Sequence, residues 1–395
     1  MAIEESAVNT TGRRLRLGMV GGGQGAFIGA VHRLAARMDD CYELVAGALS
    51  SDPDRAKASA AELRINPERA YGSYQEMATA EAARDDGIDV VSIVTPNHVH
   101  FGAAKAFLEA GIHVICDKPL TTTSADAMDL VKLVRESGLV FGLTHNYTGY
   151  PMVRQAREMV SAGDLGVIRV VQVEYAQDWL STKMEDTGLK QAEWRTDPAR
   201  SGAGGCIGDI GTHAFNLAHF ITGLELDALS ADLSTFVEGR QLDDNVHILM
   251  RYVGGARGML WSSQVAPGNE NGLRIRVYGE KAGLSWSQED PNYLNFTKLG
   301  EAPQLITRGG SGSSEIAGHA TRIPPGHPEG YLEGFANIYA DVAEVISARL
   351  ETRDPNPLAT TYPSVEDGAR GVVFIEAAVR SSSEDGQWIN AKVDL

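Results

Sequence analysis

One short stretch narrows the choice of fold more than any other. The apolar residues Leu15 to Val20 run straight into Gly21–Gly22–Gly23–Gln24–Gly25–Ala26, and an apolar-periodic stretch, Phe27 to Ala36, follows at once. A strand that turns into a helix through glycines is a demanding piece of backbone. In the pattern Gly21-x-Gly23-x-x-Ala26 the first glycine permits the tight turn. The second lets the backbone approach a ligand with no Cβ in the way, and the third small residue lets helix and strand pack closely. A diphosphate placed there meets free N–H groups and the positive end of the helix dipole. The alternation then continues: strand Glu43 to Leu49, helix Arg55 to Leu63, the apolar run Val90 to Val94, helix Phe101 to Ala110 stopped by Gly111, and strand Ile112 to Cys116. Helix Ser124 to Ser137, capped by Ser124 and stopped by Gly138, and strand Leu139 to Leu143 complete the unit. Strands alternating with helices at short spacing form a doubly wound parallel sheet.

After His145 the pattern changes. Pro151 to Ala162 reads as an amphipathic helix with Met152, Val153, Ala156, Met159 and Val160 at helical spacing. Long period-two segments follow: Ile168 to Gln177, Leu226 to Phe236, Val246 to Val253, Gly258 to Val265 and Leu273 to Tyr278. Strands without intervening helices form an antiparallel sheet. Thr307 to Pro328, rich in Gly, Ser and Pro, reads as a long surface loop, and Ser364 to Ser381 as a closing helix. The expected fold class is α/β: an N-terminal doubly wound parallel sheet, then an α+β domain with a large open, mostly antiparallel sheet. The expected division is a loose tail over 1–14, a nucleotide-binding domain over 15–145 and a substrate-binding and oligomerisation domain over 146–395.

Charge and composition remove several function classes. Lys and Arg number 35 against 52 Asp and Glu, a formal −17, with no local basic patch. Such a chain repels nucleic acid and anionic membranes and favours a small-molecule partner. Its 3 cysteines, Cys41, Cys116 and Cys206, are too scattered for a disulfide framework or a zinc site. Met1 to Arg14 has no apolar signal core, and no apolar run approaches membrane-spanning length. The expected location is therefore the cytoplasm.

The glycine turn makes Gly21, Gly23, Gln24, Gly25, Ala26, Phe27 and Ile28 the candidate diphosphate residues. Where the second strand ends, an acid is needed to read a ribose 2′-hydroxyl. Here the strand ends Leu49–Ser50–Ser51, and Asp52 comes late. Ser50 and Ser51 with Arg55 suit a 2′-phosphate, Asp52 suits the hydroxyl, and Asp52–Pro53 equally suits a helix cap. The choice between NAD and NADP stays open.

Three more segments line up with the turn: Thr95–Pro96–Asn97–His98–Val99–His100 after one strand, Asp117–Lys118–Pro119 after the next, and Gly208–Asp209–Ile210–Gly211–Thr212–His213 opening a later helix. Together they resemble the Gfo/Idh/MocA oxidoreductases, which include inositol dehydrogenases, glucose–fructose oxidoreductase and sugar 3-ketoreductases. The resemblance runs from about Leu15 to about Trp388. The family's TPNxxH motif is met by Thr95, Pro96, Asn97 and His100, and its (E/D)KP motif by Asp117, Lys118 and Pro119. Its GGGxxxDxGxH motif appears with Ala203 in the first glycine place, then Gly204, Gly205, Asp209, Gly211 and His213. Many members carry an arginine after Asn-Tyr at the end of the first domain. Here the run is Asn146–Tyr147–Thr148, so a charged substrate partner must come from elsewhere, for example Arg195.

The resemblance implies a Rossmann domain binding NAD or NADP and a hydride passed to or from a secondary hydroxyl of a sugar, glycoside or inositol-like polyol. Thr95, Pro96, Asn97, His100, Asp117, Lys118 and Asn146 then border the nicotinamide. Lys118, Asp209 and His213 form the catalytic set, with either Lys118 or His213 as formal base. Asp209 and His213 are four apart on a helix and share a face. Asn216 lies close to a turn further on. Tyr147, Trp179, Trp194, Arg195 and Asn245 join Lys118, Asp209 and His213 as candidate substrate contacts, the aromatics suiting sugar C–H surfaces. Hydride chemistry at a nicotinamide needs no metal, and none is expected. The open sheet needs a cover, so a homodimer or homotetramer is expected. Two other functions fit the same residues: glycoside cleavage by transient oxidation and elimination, and non-catalytic NAD(P)-responsive regulation of sugar metabolism.

Overall fold

The computed structural model describes residues 12–393 and Leu395. They divide into two compact units. The first holds the described residues up to Thr121, with Ala125–Gly149 and Tyr331–Ala369; the second holds Thr122–Ser124, Tyr150–Gly330 and the described residues from Arg370 on. Most of the expected tail, 1–14, lies outside the described residues. Arg13 and Arg14 lie inside and are tied down: Arg13 donates to both oxygens of Asp89, at 2.7 and 2.9 Å, and Arg14 to Asp40 at 2.8 Å.

The first unit runs β1 (Leu15–Gly21), α1 (Phe27–Met38), β2 (Tyr42–Ala48), α2 (Pro53–Glu62), α3 (Tyr74–Ala82), β3 (Val90–Val94), α4 (Asn97–Glu109), β4 (His113–Cys116), α5 (Ser124–Ser137) and β5 (Phe141–Leu143). The strands make one parallel sheet in the order β2-β1-β3-β4-β5. One isolated parallel bridge, Gly47 to Ala70, stands beside β2. Counted as a vestigial strand, it completes the order of dinucleotide-binding sheets, with the third strand shrunk to one bridge. All of β3 is buried, and its one hydroxyl, Ser92, is satisfied by Tyr339 Oη at 2.7 Å.

The second unit opens with α6 (Pro151–Ser161), β6 (Ile168–Ala176), α7 (Lys190–Arg195), α8 (Pro198–Ser201) and α9 (Thr212–Thr222). Strands β7 (Leu226–Ser234), β8 (Asn245–Tyr252), β9 (Arg257–Ser263), β10 (Gly272–Gly279), β11 (Ala282–Ser287), β12 (Tyr293–Lys298) and β13 (Gln304–Thr307) follow, with β14 (Ile389–Asn390) near the C-terminus. They form a nine-stranded sheet in the order β13-β12-β11-β10-β6-β9-β8-β7-β14. Only β6 and β9 pair in parallel; the other neighbours are antiparallel. Strand alternation sends Val246, Ile248 and Met250 inward, and α9 packs on β6, β9 and β10. The opposite face leaves Leu249, Met259 and Val170 exposed. The expected surface loop Thr307 to Pro328 is pinned. It contains α10 (Glu315–His319), and buried Arg308 pairs with buried Glu329 at 2.8 Å and donates to Ile323 O and Pro324 O. Much of the segment is at the surface as expected, including Ser311, Gly312 and Pro324 to Pro328, while Arg308 anchors it.

The expected second domain, 146–395, is interrupted. A 20-residue helix, α11 (Tyr331–Leu350), packs in the first unit: Phe335, Ile338, Tyr339, Val342 and Ile346 share one core with Leu15, Leu17, Val31, Tyr42 and Ile115. Tyr42 Oη donates to Tyr339 O at 2.7 Å. The closing helix is α12 (Val365–Ser383). Among the described residues no helix is long and apolar enough to cross a membrane.

Candidate active site

In the first unit the carboxyl ends of β1 and β3 are neighbours, and the chain leaves them toward opposite sides of the sheet. Doubly wound sheets bind ligands at such a switch point. The turn after β1 is tightly seated. Gly21 has φ +77°, and a Cβ there would lie 2.8 Å from Thr95 Cγ2. Gly23 N donates to Leu49 O, Gln24 N to Ser59 Oγ at 3.0 Å, and Arg33 on α1 donates to Gly22 O at 2.6 Å. The close approach of helix to turn is made by Gly29, not by Ala26. A Cβ on Gly29 would lie 2.4 Å from both Gly22 Cα and Gly22 O. Ala26 is the N-cap of α1 and gives no side-chain cap, so the first-turn N–H groups keep their capacity for an anion. Gln24 and Gly25 lie within the turn, Phe27 and Ile28 begin α1, and Phe27 is 60% exposed.

At the end of β2 the carboxylate of Asp52 caps α2, accepting Arg55 N at 2.8 Å ahead of Pro53. Ser50 Oγ accepts Asp52 N at 3.1 Å, while Ser51 and Arg55 are exposed. Asp52 Oδ1 is thus engaged as a helix cap.

Beyond β3, Pro96 precedes α4, and Asn97 and His100 lie on its first turn. Buried His100 has Nδ1 2.8 Å from Pro119 O and Nε2 2.9 Å from Thr95 O. Both oxygens are acceptors, so only the cation can donate to both. Burial pushes the pKa of His100 down, and the neutral ring donates to one. His100 therefore bonds one of the Thr95 and Pro119 segments and sits against the other, with both ring nitrogens facing their carbonyls. Asp117 Oδ1 accepts Lys118 N at 2.9 Å and Thr144 Oγ1 at 3.0 Å, and the Lys118–Pro119 peptide is cis. His145 is pushed down to about 3, first by burial and then by the Lys118 charge, and is neutral. Asn146 and Tyr147 lie in a short buried turn after β5. Thr95 Oγ1 and Asn146 Nδ2 are buried with no hydrogen-bond partner among the described residues. Two unsatisfied polar atoms near the carboxyl ends of the strands, beside a turn too tight for side chains, fit a nicotinamide dinucleotide.

In the second unit Asp209 occupies a wide turn, Ile207–Gly211, in which Thr212 N reaches back to Ile207 O, one residue further than in an α-helix. His213 follows in the first turn of α9. Asp209 Oδ2 accepts Gln264 Nε2 at 2.9 Å and lies 3.3 Å from Arg195 Nε. The Arg195 guanidinium lies 4.4 Å from the centre of the Trp194 ring. Its charge is thus paired with Asp209. His213 is 8% exposed, with its ring 6.2 Å from that of Tyr175. Asn216 is buried on α9. Trp179 and Trp194 are half-buried and not core, and Trp179 Nε1 donates to Gln177 Oε1 at 3.1 Å. Asn245 does not join this group. Its amide accepts Trp261 Nε1 at 3.0 Å and meets His247 Nδ1 at 3.2 Å, side chains of the sheet face that carries Leu249 and Met259.

Sequence reasoning missed four supports. Gly29 had a signal, because a glycine inside a helix costs about 1 kcal/mol against alanine and needs a reason. Arg33, Gln264 and Asp243 had none, being brought in by long-range pairing. Asp243 clamps the glycines before Asp209: its carboxylate accepts Gly205 N at 2.6 Å and Ile207 N at 2.8 Å, and its carbonyl accepts Cys206 N at 2.8 Å. Burial pushes its pKa up to about 6 against the pull of those donors.

Residues 15–145 match the model of the oxidoreductase family with an NAD-binding Rossmann fold, and residues 153–285 match the GFO/IDH/MocA C-terminal domain. An uncharacterized oxidoreductase, YfiI, of Bacillus subtilis is 37% identical over 96% of this chain and 97% of its own. The crystal structure of an oxidoreductase from Sinorhizobium meliloti superposes with a TM-score of 0.87 at 57% identity, over 96% of this chain and 100% of that one. An inositol dehydrogenase homolog from Azotobacter vinelandii, complexed with NADH and myo-inositol, superposes with a TM-score of 0.88 at 37% identity, over 96% of this chain and 98% of that one. The chain belongs to the Gfo/Idh/MocA family and is a nicotinamide-dinucleotide-dependent dehydrogenase acting on CH–OH groups.

Proposed function

We propose that this dehydrogenase oxidises a secondary hydroxyl of a sugar, glycoside or inositol-like polyol, with Lys118, Asp209 and His213 as its catalytic residues. The observation that carries the reading is the Asp209 carboxylate, fixed by Arg195 and Gln264 at the head of the helix that bears His213. A carboxylate held that way orients hydroxyl groups by accepting from them. The bound nicotinamide supplies the hydride acceptor. Either Lys118 or His213 takes the hydroxyl proton, and Asp209 orients the substrate hydroxyl. Half-buried Trp179 and Trp194 offer aromatic faces to ring C–H surfaces. The likeness to a protein complexed with NADH and myo-inositol supports the polyol class.

A second copy of this chain covers the open sheet face. Leu249 and Met259, 53% and 47% exposed, flank a concavity of about 470 Å³ there, and a dimer or tetramer buries them.

The test is a panel of sugars, glycosides and inositols offered with NAD and NADP separately, following the reduced coenzyme. Wild type is expected to turn over a polyol, and Lys118→Ala and His213→Ala to lose about 10²–10⁴-fold in kcat. Glycoside cleavage without accumulated reduced coenzyme would replace net oxidation by elimination. A chain that binds coenzyme, oxidises nothing and keeps its biological effect as Lys118→Ala would be a regulator.

A further inference from the structure

We infer that Gln264 is a positioning residue for the dehydrogenase reaction, presetting Asp209 and the segment that carries Trp179 as one piece. This rests on the proposed role of Asp209. Gln264 is 2% exposed and follows directly on β9. Its N–H, carbonyl and side-chain NH2 are all engaged. Its N–H donates to Asp244 O at 2.8 Å, its carbonyl accepts Leu180 N at 3.1 Å, and its side-chain amide donates to Asp209 Oδ2 at 2.9 Å. One backbone bond, from Leu180 N to the Gln264 carbonyl, therefore ties down the Trp179–Leu180 segment, while the side chain holds the carboxylate.

The amide also selects the oxygen: Gln264 donates to Oδ2, and Arg195 Nε lies 3.3 Å from the same atom as an ion pair. A neutral amide donor does this without adding charge. Charged and titratable groups near this point include Asp209 and Arg195, Asp243 and Asp244 just before β8, Arg240 on Asp244, Cys206, and His213 with Tyr175 against it. Asp244 is itself committed, accepting Phe236 N, Val237 N and Arg240 Nη1. A second carboxylate at position 264 would face Asp209 directly, and two carboxylates at one point do not both ionise freely. Protonated, that new group donates to Asp209 as the amide does; ionised, it repels it.

The experiment compares Gln264→Leu and Gln264→Glu with wild type in kcat, KM, NADH affinity by fluorescence titration, and full pH profiles on the best polyol from the panel. Gln264→Leu is expected to lose about 10- to 100-fold in kcat, the loss of one hydrogen bond to a charged group, with NADH affinity unchanged. Gln264→Glu is expected to stay near wild type at acidic pH and to fall away from it as pH rises. A constant ratio of Gln264→Glu to wild type across pH, or a Gln264→Leu variant that binds NADH and retains full kcat, overturns the inference. If wild type binds NADH and oxidises no polyol, the proposed function fails instead, and the two failures are distinct.

Discussion

Substituting alanine for Gly29 adds one methyl group where the backbone of the glycine turn already stands. The added carbon would lie 2.4 Å from Gly22 Cα and 2.4 Å from Gly22 O, against 3.4–4 Å for ordinary contact. The shortfall is about 1 Å, and the obstacle is backbone that no rotamer change can move aside. Helix α1 or the turn must therefore shift by that amount. Overpacking of this kind costs about 1–3 kcal/mol. If the turn yields in the free protein and must be forced back to receive the diphosphate, the cost falls on coenzyme binding, a weakening of about 5- to 150-fold. If it cannot yield, the same energy appears as lost stability. NADH fluorescence titration together with thermal denaturation captures both routes. Gly72→Ala is the control, since its nearest neighbour, Glu76 Oε2, would be 3.6 Å away. A Gly29→Ala protein matching wild type in both NADH affinity and melting temperature would refute the assignment of Gly29 as the close-packing glycine.

Acid should weaken the nucleotide-binding unit specifically. Burial pushes His32 and His113 down to about 4 and His145 to about 3 from 6.5, so the folded state binds fewer protons than the unfolded chain between those values. Stability is then complete above pH 6.5 and lost as pH falls toward 4, at up to about 1.4 kcal/mol per pH unit for each ring. Urea midpoints that stay flat between about pH 7 and about pH 5 would contradict this. Asp243→Ala strips the acceptor from two backbone donors and is expected to cost about 2–6 kcal/mol in denaturant unfolding; a change under about 1 kcal/mol would show that the clamp is idle. Leu249→Arg, on the open sheet face, is expected to dissociate the oligomer in light scattering while the isolated chain stays folded; a wild type already monomeric would remove the basis for that expectation.

Local signals carried most of the fold. The βα units of the first unit and the period-two strands of the second are set by side-chain periodicity within each segment, and each expected strand has a counterpart in a sheet. What failed was long-range. Nothing in Tyr331–Leu350 tells which sheet it covers, because its apolar face suits any core; packing against Leu15, Leu17 and Val31 decides it. The segment 307–328 is largely at the surface as read, but its buried anchor, Arg308 with Glu329, was not legible because these residue types usually face water. The site divides the same way. Motif residues were legible because turns and strand ends impose residue types. Asn245 was misplaced because a strand end offers either face, and the pairing of Arg195 with Asp209 was not legible because the two lie in different segments.

The most direct measurement follows the hydrogen itself. With the best polyol from the panel deuterated at its carbinol carbons and oxidised coenzyme, wild type is expected to yield reduced coenzyme carrying one deuterium per alcohol oxidised, and the Lys118→Ala and His213→Ala proteins to bind coenzyme but transfer almost none. Deuterium absent from the coenzyme for this and every other polyol tried, in a chain that binds NADH tightly, would contradict hydride transfer from a secondary alcohol.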